Sequence, residues 1–354
     1  MLISSKTYRA TYPKFTFSLY FWKCLRNYPE NYSSTIIPVQ PEKDLPMKSI
    51  SRDNIVLTAN EASETLCAKL GLELGVGFTK MKKSRFADGE ISHVFPVDIA
   101  GRDLIIIGNT HDDASQQEML DLINGGWYWN ALSINVVVPF LGYSTMERAK
   151  PGSGEIPKGI TRTRQIFKAR PDFVFFVDLH SEAVLHAHGG NVSTFHIQTD
   201  SLFVKHISQL GLDDYVLVSP DYGRSKWVAG MASRLGCPHT AADKDRFARD
   251  QTMVNQVSSV VRGKTVIIFD DMIRTGGSIV QTAQRCLEVG AKKVLVMATH
   301  LVLCGSAREH FTETGIDRVL GTDSYPGIKE DELVGTISIA PLIASVLKRK
   351  LKIS

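Results

Sequence analysis

Val266-Ile267-Ile268-Phe269-Asp270-Asp271-Met272-Ile273-Arg274-Thr275-Gly276-Gly277-Ser278 holds a strand-length apolar run, two carboxylates and a glycine turn without interruption. An apolar run of this length, rich in β-branched residues, predicts a strand of a parallel sheet buried on both faces. Ser278–Gly290 then carries Ile279, Ala283, Cys286 and Leu287 on one helical face, with Gly290 as its stop. Asp270 and Asp271, at the strand's C-terminal end, can accept hydrogen bonds from a vicinal diol such as that of a ribose ring. Gly276 and Gly277 allow backbone N–H groups to approach a phosphate closely, and the helix start adds partial positive charge. Thr275 and Ser278 supply hydroxyl donors. A plain βα turn with helix-capping aspartates is the competing reading, and the Thr-Gly-Gly that follows Asp-Asp argues against it.

The same alternation extends in both directions. Strand-length apolar runs occur at Asn54–Leu57, Leu104–Ile107, Ile134–Phe140 and Phe173–Leu179. A second series occupies Tyr215–Val218, Val266–Phe269 and Val294–Ala298. Segments of helical period separate them, which predicts an α/β architecture with mostly parallel sheets. The two series imply domains at 52–196 and 197–334, after an N-terminal extension over 1–51. Residues 335–354 follow, with an amphipathic helix at Ser338–Leu351. Lys150-Pro151-Gly152-Ser153-Gly154 is punctuated as a loop and is a candidate lid.

A 354-residue chain with 43% apolar and 22% charged residues can bury two ordinary cores, and a net charge of +4 is too mild to imply nucleic-acid binding. The five cysteines are scattered without a CxxC, as in a reducing compartment where thiols act mostly as small core residues. No run approaches the roughly 20 apolar residues that span a bilayer, so no membrane association is expected. Residues 1–29 contain five Lys/Arg and no acid, the composition of an organelle transit segment. A disordered extension, or an upstream start preceding Met47, is the preferred reading of it. The expected compartment is the cytoplasm, with residues 1–46 open to a targeting role.

Two familiar nucleotide signatures are absent. Gly263-Lys264-Thr265 mimics the end of a P-loop, but it leads into a strand and lacks the upstream glycine; no GxGxxG occurs. Other segments carry more information. Arg85-Phe86-Ala87-Asp88-Gly89-Glu90-Ile91, Val177-Asp178-Leu179-His180, Ser219-Pro220-Asp221 with Gly223 and Lys226, and Asp243-Lys244-Asp245-Arg246 precede the 266–278 run. In this order the motifs resemble those of the ribose-phosphate pyrophosphokinases, across about residues 53–345.

The resemblance implies two phosphoribosyltransferase-like domains related by pseudo-symmetry, with the active site between them and the final helix packing on the first domain. It implies a homo-oligomer, dimer or hexamer, in which the 86–90 loop completes a neighbour's nucleotide site. It also implies transfer of pyrophosphate from ATP to ribose 5-phosphate, yielding AMP. Phe86 would stack on adenine while Asp88 and Glu90 accept from its amine. His180 and Asp221 would hold Mg²⁺ on the ATP phosphates. His180 as a satisfied strand-end histidine is the rival reading, and a zinc site with His186 and His188 lacks cysteine partners. Lys244 and Arg246 would neutralise charge in the transition state, together with Arg148 on the ATP side.

Two positions depart from the family pattern. After Gly142-Tyr143, Thr145-Met146-Glu147-Arg148 stands where the family has Arg-Gln-Asp-Arg, retaining only the last cation. Arg274 replaces an acid just before Thr275, a two-unit change of charge beside the phosphate loop. Three readings stay open: an ordinary phosphoribosyl-pyrophosphate synthetase, the same chemistry on a larger ribose 5-phosphate compound such as ADP-ribose, and a non-catalytic regulatory member. The retained basic pair and metal-ligand candidates argue against the third.

Overall fold

The computed structural model describes residues 49–190, 192–221, 223–241 and 260–354, so Lys244 and Arg246 lie outside the described residues. The first half contains β1 (Ile55–Ala59), α1 (Glu64–Leu74), β2 (Lys82–Arg85), β3 (Ile91–Val94), β4 (Asp103–Ile107), α2 (Asp113–Tyr128), β5 (Ser133–Val138), α3 (Lys158–Lys168), β6 (Phe173–Val177) and β7 (Ser193–Ile197). Five of these strands form a sheet in the order β1-β4-β5-β6-β7, each pair parallel. β2 and β3 form a separate antiparallel hairpin.

The second half contains α4 (Asp200–Gln209), β8 (Tyr215–Ser219), α5 (Ser225–Leu235), β9 (His239–Ala241), β10 (Thr265–Ile273), α6 (Gly277–Glu288), β11 (Lys293–Leu301), α7 (Ala307–Thr314), β12 (Arg318–Thr322), β13 (Val334–Ile337) and α8 (Ala340–Lys350). Its six-stranded sheet runs β13-β12-β11-β10-β8-β9, again with parallel pairs throughout. Both sheets fall within one packing unit.

Each sheet is covered on both faces, which is why its strands read as continuous apolar runs. In β1, Ile55 and Leu57 pack with α1 and α8 while Val56 packs on the opposite side with Met119 and Leu122 of α2. In β10, Val266 and Ile268 face Ile279 and Ala283 of α6, whereas Ile267 and Phe269 face Phe203 of α4 and Val228 of α5. Leu57, at 0% exposure, and Ile343 of α8 belong to the same core cluster, so the closing helix packs against the first sheet. Cys67 and Cys286 are buried in the core, but Cys304 is exposed.

Each strand expected from the sequence is present, with one difference that affects the site. β10 runs four residues past Phe269, carrying Asp270 through Ile273 into the sheet. The neighbour explains it: β11 is equally long and pairs Asp270 with Ala298 and Met272 with His300. Successive strand residues point to opposite faces, so the two adjacent aspartates enter different surroundings.

Candidate active site

A cavity of about 410 Å³ opens where the C-terminal ends of strands from both sheets meet. It is lined from the first sheet by Thr145, Glu147, Arg148, His180 and Ser181, and from the second by Asp221, Gly223, Arg224, Asp270, Asp271, Met272 and Arg274. Ligands of open parallel sheets bind at such strand ends because connecting loops and helix N-termini converge there. The structure therefore brings together Arg148, His180, Asp221, Asp270, Asp271 and Arg274. Thr275 to Ser278 follow directly as the turn into α6. Gly276 has φ +75°, and a Cβ on it would collide with the Phe311 ring, so glycine is required there.

The floor is a network of charges. Asp271 is 3% exposed. Its Oδ2 accepts from His180 Nδ1 at 2.8 Å and pairs with Arg224 Nη2 at 2.6 Å, and its Oδ1 accepts from Arg224 Nε at 3.2 Å. Burial disfavours that charge, but His180 and Arg224 outweigh it and hold the carboxyl well below its ordinary range. Asp270 goes the other way: burial and the Asp271 charge push its carboxyl well up. Its Oδ1 accepts from the Asp271 N–H at 2.9 Å. The adjacent pair is thus pushed in opposite directions, Asp271 toward the anion and Asp270 toward the protonated form. The Asp271 hydrogen bond raises the His180 imidazole against the opposing effect of burial.

His180 is presented by an unusual backbone. Asp178, two residues earlier, has φ +41°, a left-handed conformation that is costly for a non-glycine residue. Contacts from several elements hold it: its N–H donates to Ile197 O at 2.9 Å, and its Oδ2 accepts from Thr199 at 3.0 Å and from Thr299. Its carbonyl faces His300 Nε2 at 3.1 Å. Burial pushes the Asp178 carboxyl up.

The remaining assignments are distributed. Arg148 stands on the rim with its side chain 81% exposed, 3.6 Å from Glu147. Arg274 reaches across to the loop after β5, where Nη1 donates to Thr145 Oγ1 at 3.3 Å. Phe86, Asp88 and Glu90 occupy the exposed turn of the β2–β3 hairpin, closed by Phe86 N–H to Glu90 O at 2.8 Å. None of the three lines the cavity. Nothing in the sequence marks Thr299, Asp178 is visible only as part of the Val177-Asp178-Leu179-His180 motif, and the hint for Arg224 is its place directly after Ser219-Pro220-Asp221-Tyr222-Gly223 at a strand end.

The donor set bears on a divalent cation. Among the described residues no group of three or more His, Cys, Asp or Glu could hold a metal by itself. His180 and Asp221 do line one cavity, which fits a cation carried in by substrate phosphates and completed by water, the usual habit of Mg²⁺. Among the described residues no helix is long and apolar enough to cross a membrane.

Both halves of the chain match known proteins. The profile for the N-terminal domain of ribose phosphate pyrophosphokinase matches residues 55–158, and the phosphoribosyl transferase domain profile matches 191–323. A ribose-phosphate pyrophosphokinase of Thermosipho africanus is 30% identical over 309 residues, covering 85% of this chain and 95% of that protein. One from Oceanobacillus iheyensis is 31% identical over 311 residues, covering 87% and 95%. The crystal structure of phosphoribosylpyrophosphate synthetase from Mycobacterium smegmatis superposes with a TM-score of 0.74 at 28% identity, covering 84% of this chain and 99% of that one. With both halves matched in order and the cavity formed where they meet, the chain belongs to the ribose-phosphate pyrophosphokinase family.

Proposed function

We propose that this enzyme transfers pyrophosphate from MgATP to the anomeric hydroxyl of ribose 5-phosphate, giving 5-phosphoribosyl 1-pyrophosphate and AMP. The observation that carries this reading is the joining, in one cavity, of the carboxylate strand end and His180 from opposite sheets. The anomeric oxygen attacks the β-phosphorus, the bond from that phosphorus to the oxygen bridging the α-phosphorus breaks, and the hydroxyl proton passes to solvent. Asp270 and Asp271 read the ribose hydroxyls, and the backbone N–H groups and hydroxyls of Thr275 to Ser278 cradle the 5′-phosphate. Lys244 and Arg246 neutralise charge as it develops, with Arg148 on the ATP phosphates. Mg²⁺, held through His180 and Asp221, supplies charge neutralisation on the polyphosphate.

Phe86, Asp88 and Glu90 bind the adenine of a neighbouring subunit in a homo-oligomer; their exposed hairpin, outside their own chain's cavity, supports this assignment. A second reading of the acceptor is favoured by Arg274. Among the described residues its guanidinium has no ion pair with a carboxylate and hydrogen-bonds the Thr145 hydroxyl, so it is available to a further anionic group, as on ADP-ribose. Incubation with ATP, Mg²⁺ and a panel of ribose 5-phosphate compounds, following AMP, tests both readings. No AMP with any acceptor leaves the non-catalytic reading.

A further inference from the structure

Arg224 is the residue on which the parts of the cavity converge. It immediately precedes α5, and its backbone N–H donates to Asp221 Oδ1 at 3.2 Å. Its side chain turns back across the cavity floor, 18% exposed, with the guanidinium 5.5 Å from the centre of the Trp227 ring. Nε and Nη2 form a two-point fork on Asp271, at 3.2 and 2.6 Å. The same Nη2 lies 3.3 Å from His180 O and 3.5 Å from Leu179 O on the other sheet. One guanidinium thus joins the carboxylate of β10 to the main chain that carries His180.

We infer that Arg224 is a positioning residue that holds Asp271 and His180 as one unit across the gap between the two sheets. Without the fork, the Asp271 carboxylate is free to rotate about its last bond, and the His180 ring loses its reference. With it, Oδ2 stays 2.8 Å from Nδ1, so Nδ1 keeps the proton it donates and Nε2 is the ring nitrogen left for another partner. A lysine cannot substitute, because a single ammonium cannot span both carboxylate oxygens in one plane while reaching two carbonyls. The role goes beyond the reaction proposed above and takes its kinetic consequence from that reading.

The test uses the full-length enzyme, Arg224→Met and Arg224→Lys, with thermal melting as the control for folding. Ring ¹⁵N spectra of histidine-labelled protein, assigned with His180→Gln, report which nitrogen of His180 carries the proton. The wild type is expected to show the Nδ1–H form, and both variants to lose it. With ATP and ribose 5-phosphate, kcat is expected to fall about 10- to 100-fold in both variants while the acceptor KM stays near wild type. If the Met variant does not fold, the Lys variant, which keeps stem and charge, decides the question alone. An unchanged His180 ring signature in a folded variant overturns the inference. So does a raised acceptor KM with kcat retained, which would make Arg224 a substrate ligand. A wild-type enzyme that releases no AMP would overturn the proposed reaction instead, with the ring spectra still deciding the part played by Arg224.

Discussion

The hydroxyl oxygens of Thr199 and Thr299 lie 2.7 Å apart although 100 residues separate them in the chain, and both reach the same oxygen of Asp178. Each hydroxyl has one proton to give, so three oxygens in mutual contact need a third. Burial, which pushes the Asp178 carboxyl up, favours the form that carries one. This triad sits where β11 of the second sheet meets the first, just beneath the turn that presents His180.

Thr299→Val keeps the shape and removes one hydroxyl, leaving the buried Asp178 oxygen short of a partner. A loss of about 1–3 kcal/mol in unfolding free energy is expected. Thr199→Val should cost less when Thr299 is already gone. Urea unfolding of both single variants and the double variant measures the coupling; strict additivity would mean that the three groups do not act together.

The two adjacent aspartates should respond differently to the same change. Asp271→Asn leaves the largely buried Arg224 guanidinium without its carboxylate and is expected to cost about 3–5 kcal/mol of stability. Asp270 holds its proton more readily, and its Oδ1 needs only to accept from a backbone N–H. Asp270→Asn should leave the melting temperature near wild type while weakening the acceptor by about tenfold in KM. Equal stability losses in the two variants would contradict the division of charge between them.

His300 gives a pH signature. It is 2% exposed, between Ser324 Oγ at 2.8 Å and the Asp178 carbonyl, and burial lowers its pKa while Asp178 works in the opposite direction. The unfolded chain, with an ordinary histidine near about 6.5, takes up the proton first as pH falls. The stability contributed by neutral His300 is therefore full above that value and declines below it. His300→Gln should be less stable than wild type at neutral pH, and the gap should narrow on acidification to about pH 5. Unfolding curves at the two pH values check it; a constant gap would mean that the histidine titrates alike in both states.

Lys244→Ala and Arg246→Ala are each expected to lower kcat by about a hundredfold or more, with little effect on ATP affinity. Both lie outside the described residues, so the expectation rests on their place in the Asp243-Lys244-Asp245-Arg246 motif. Steady-state kinetics with a direct ATP-binding measurement separates the two quantities. Wild-type turnover in either variant would remove it from the catalytic machinery.

What was legible in the sequence was local. The 266–278 run holds strand, carboxylates, turn and helix start in thirteen consecutive residues, so both the sheet and one wall of the site follow from reading along the chain. The parallel architecture was equally readable, because strands buried on both faces leave continuous apolar runs. The cross-sheet contacts left no comparable pattern. His180 meets Asp271 at a separation of 91 residues, and Thr299 meets Asp178 at 121. No periodicity marks either pair, since each is set by how the two halves dock. The extra strand residues of β10 were hidden for a related reason: a polar Asp-Asp reads as a strand end unless the length of its neighbour β11 is known. Phe86 is a different case, an exposed aromatic in a turn whose partner is not supplied by its own cavity.

Arg274 bears on the choice of acceptor. It follows β10 at the start of the phosphate turn, lines the cavity, and reaches Thr145 at one of the positions where this chain departs from the family pattern. On the proposed assignment the N–H groups and hydroxyls of Thr275 to Ser278 serve a single 5′-phosphate, which makes this guanidinium surplus for ribose 5-phosphate. A 5′-diphosphate brings a second anionic group, and a charge-assisted bond to it contributes about 1.5–3 kcal/mol, roughly ten- to a hundredfold in affinity. Arg274→Asp should therefore lower kcat/KM for ADP-ribose by that factor and alter ribose 5-phosphate turnover less. Thr145→Val, which frees the guanidinium from its hydroxyl partner, should leave this preference in place. Parallel kinetics with the two acceptors measure the ratio. A wild-type enzyme inert toward ADP-ribose but active on ribose 5-phosphate would leave Arg274 without this role and the acceptor as the simple sugar phosphate.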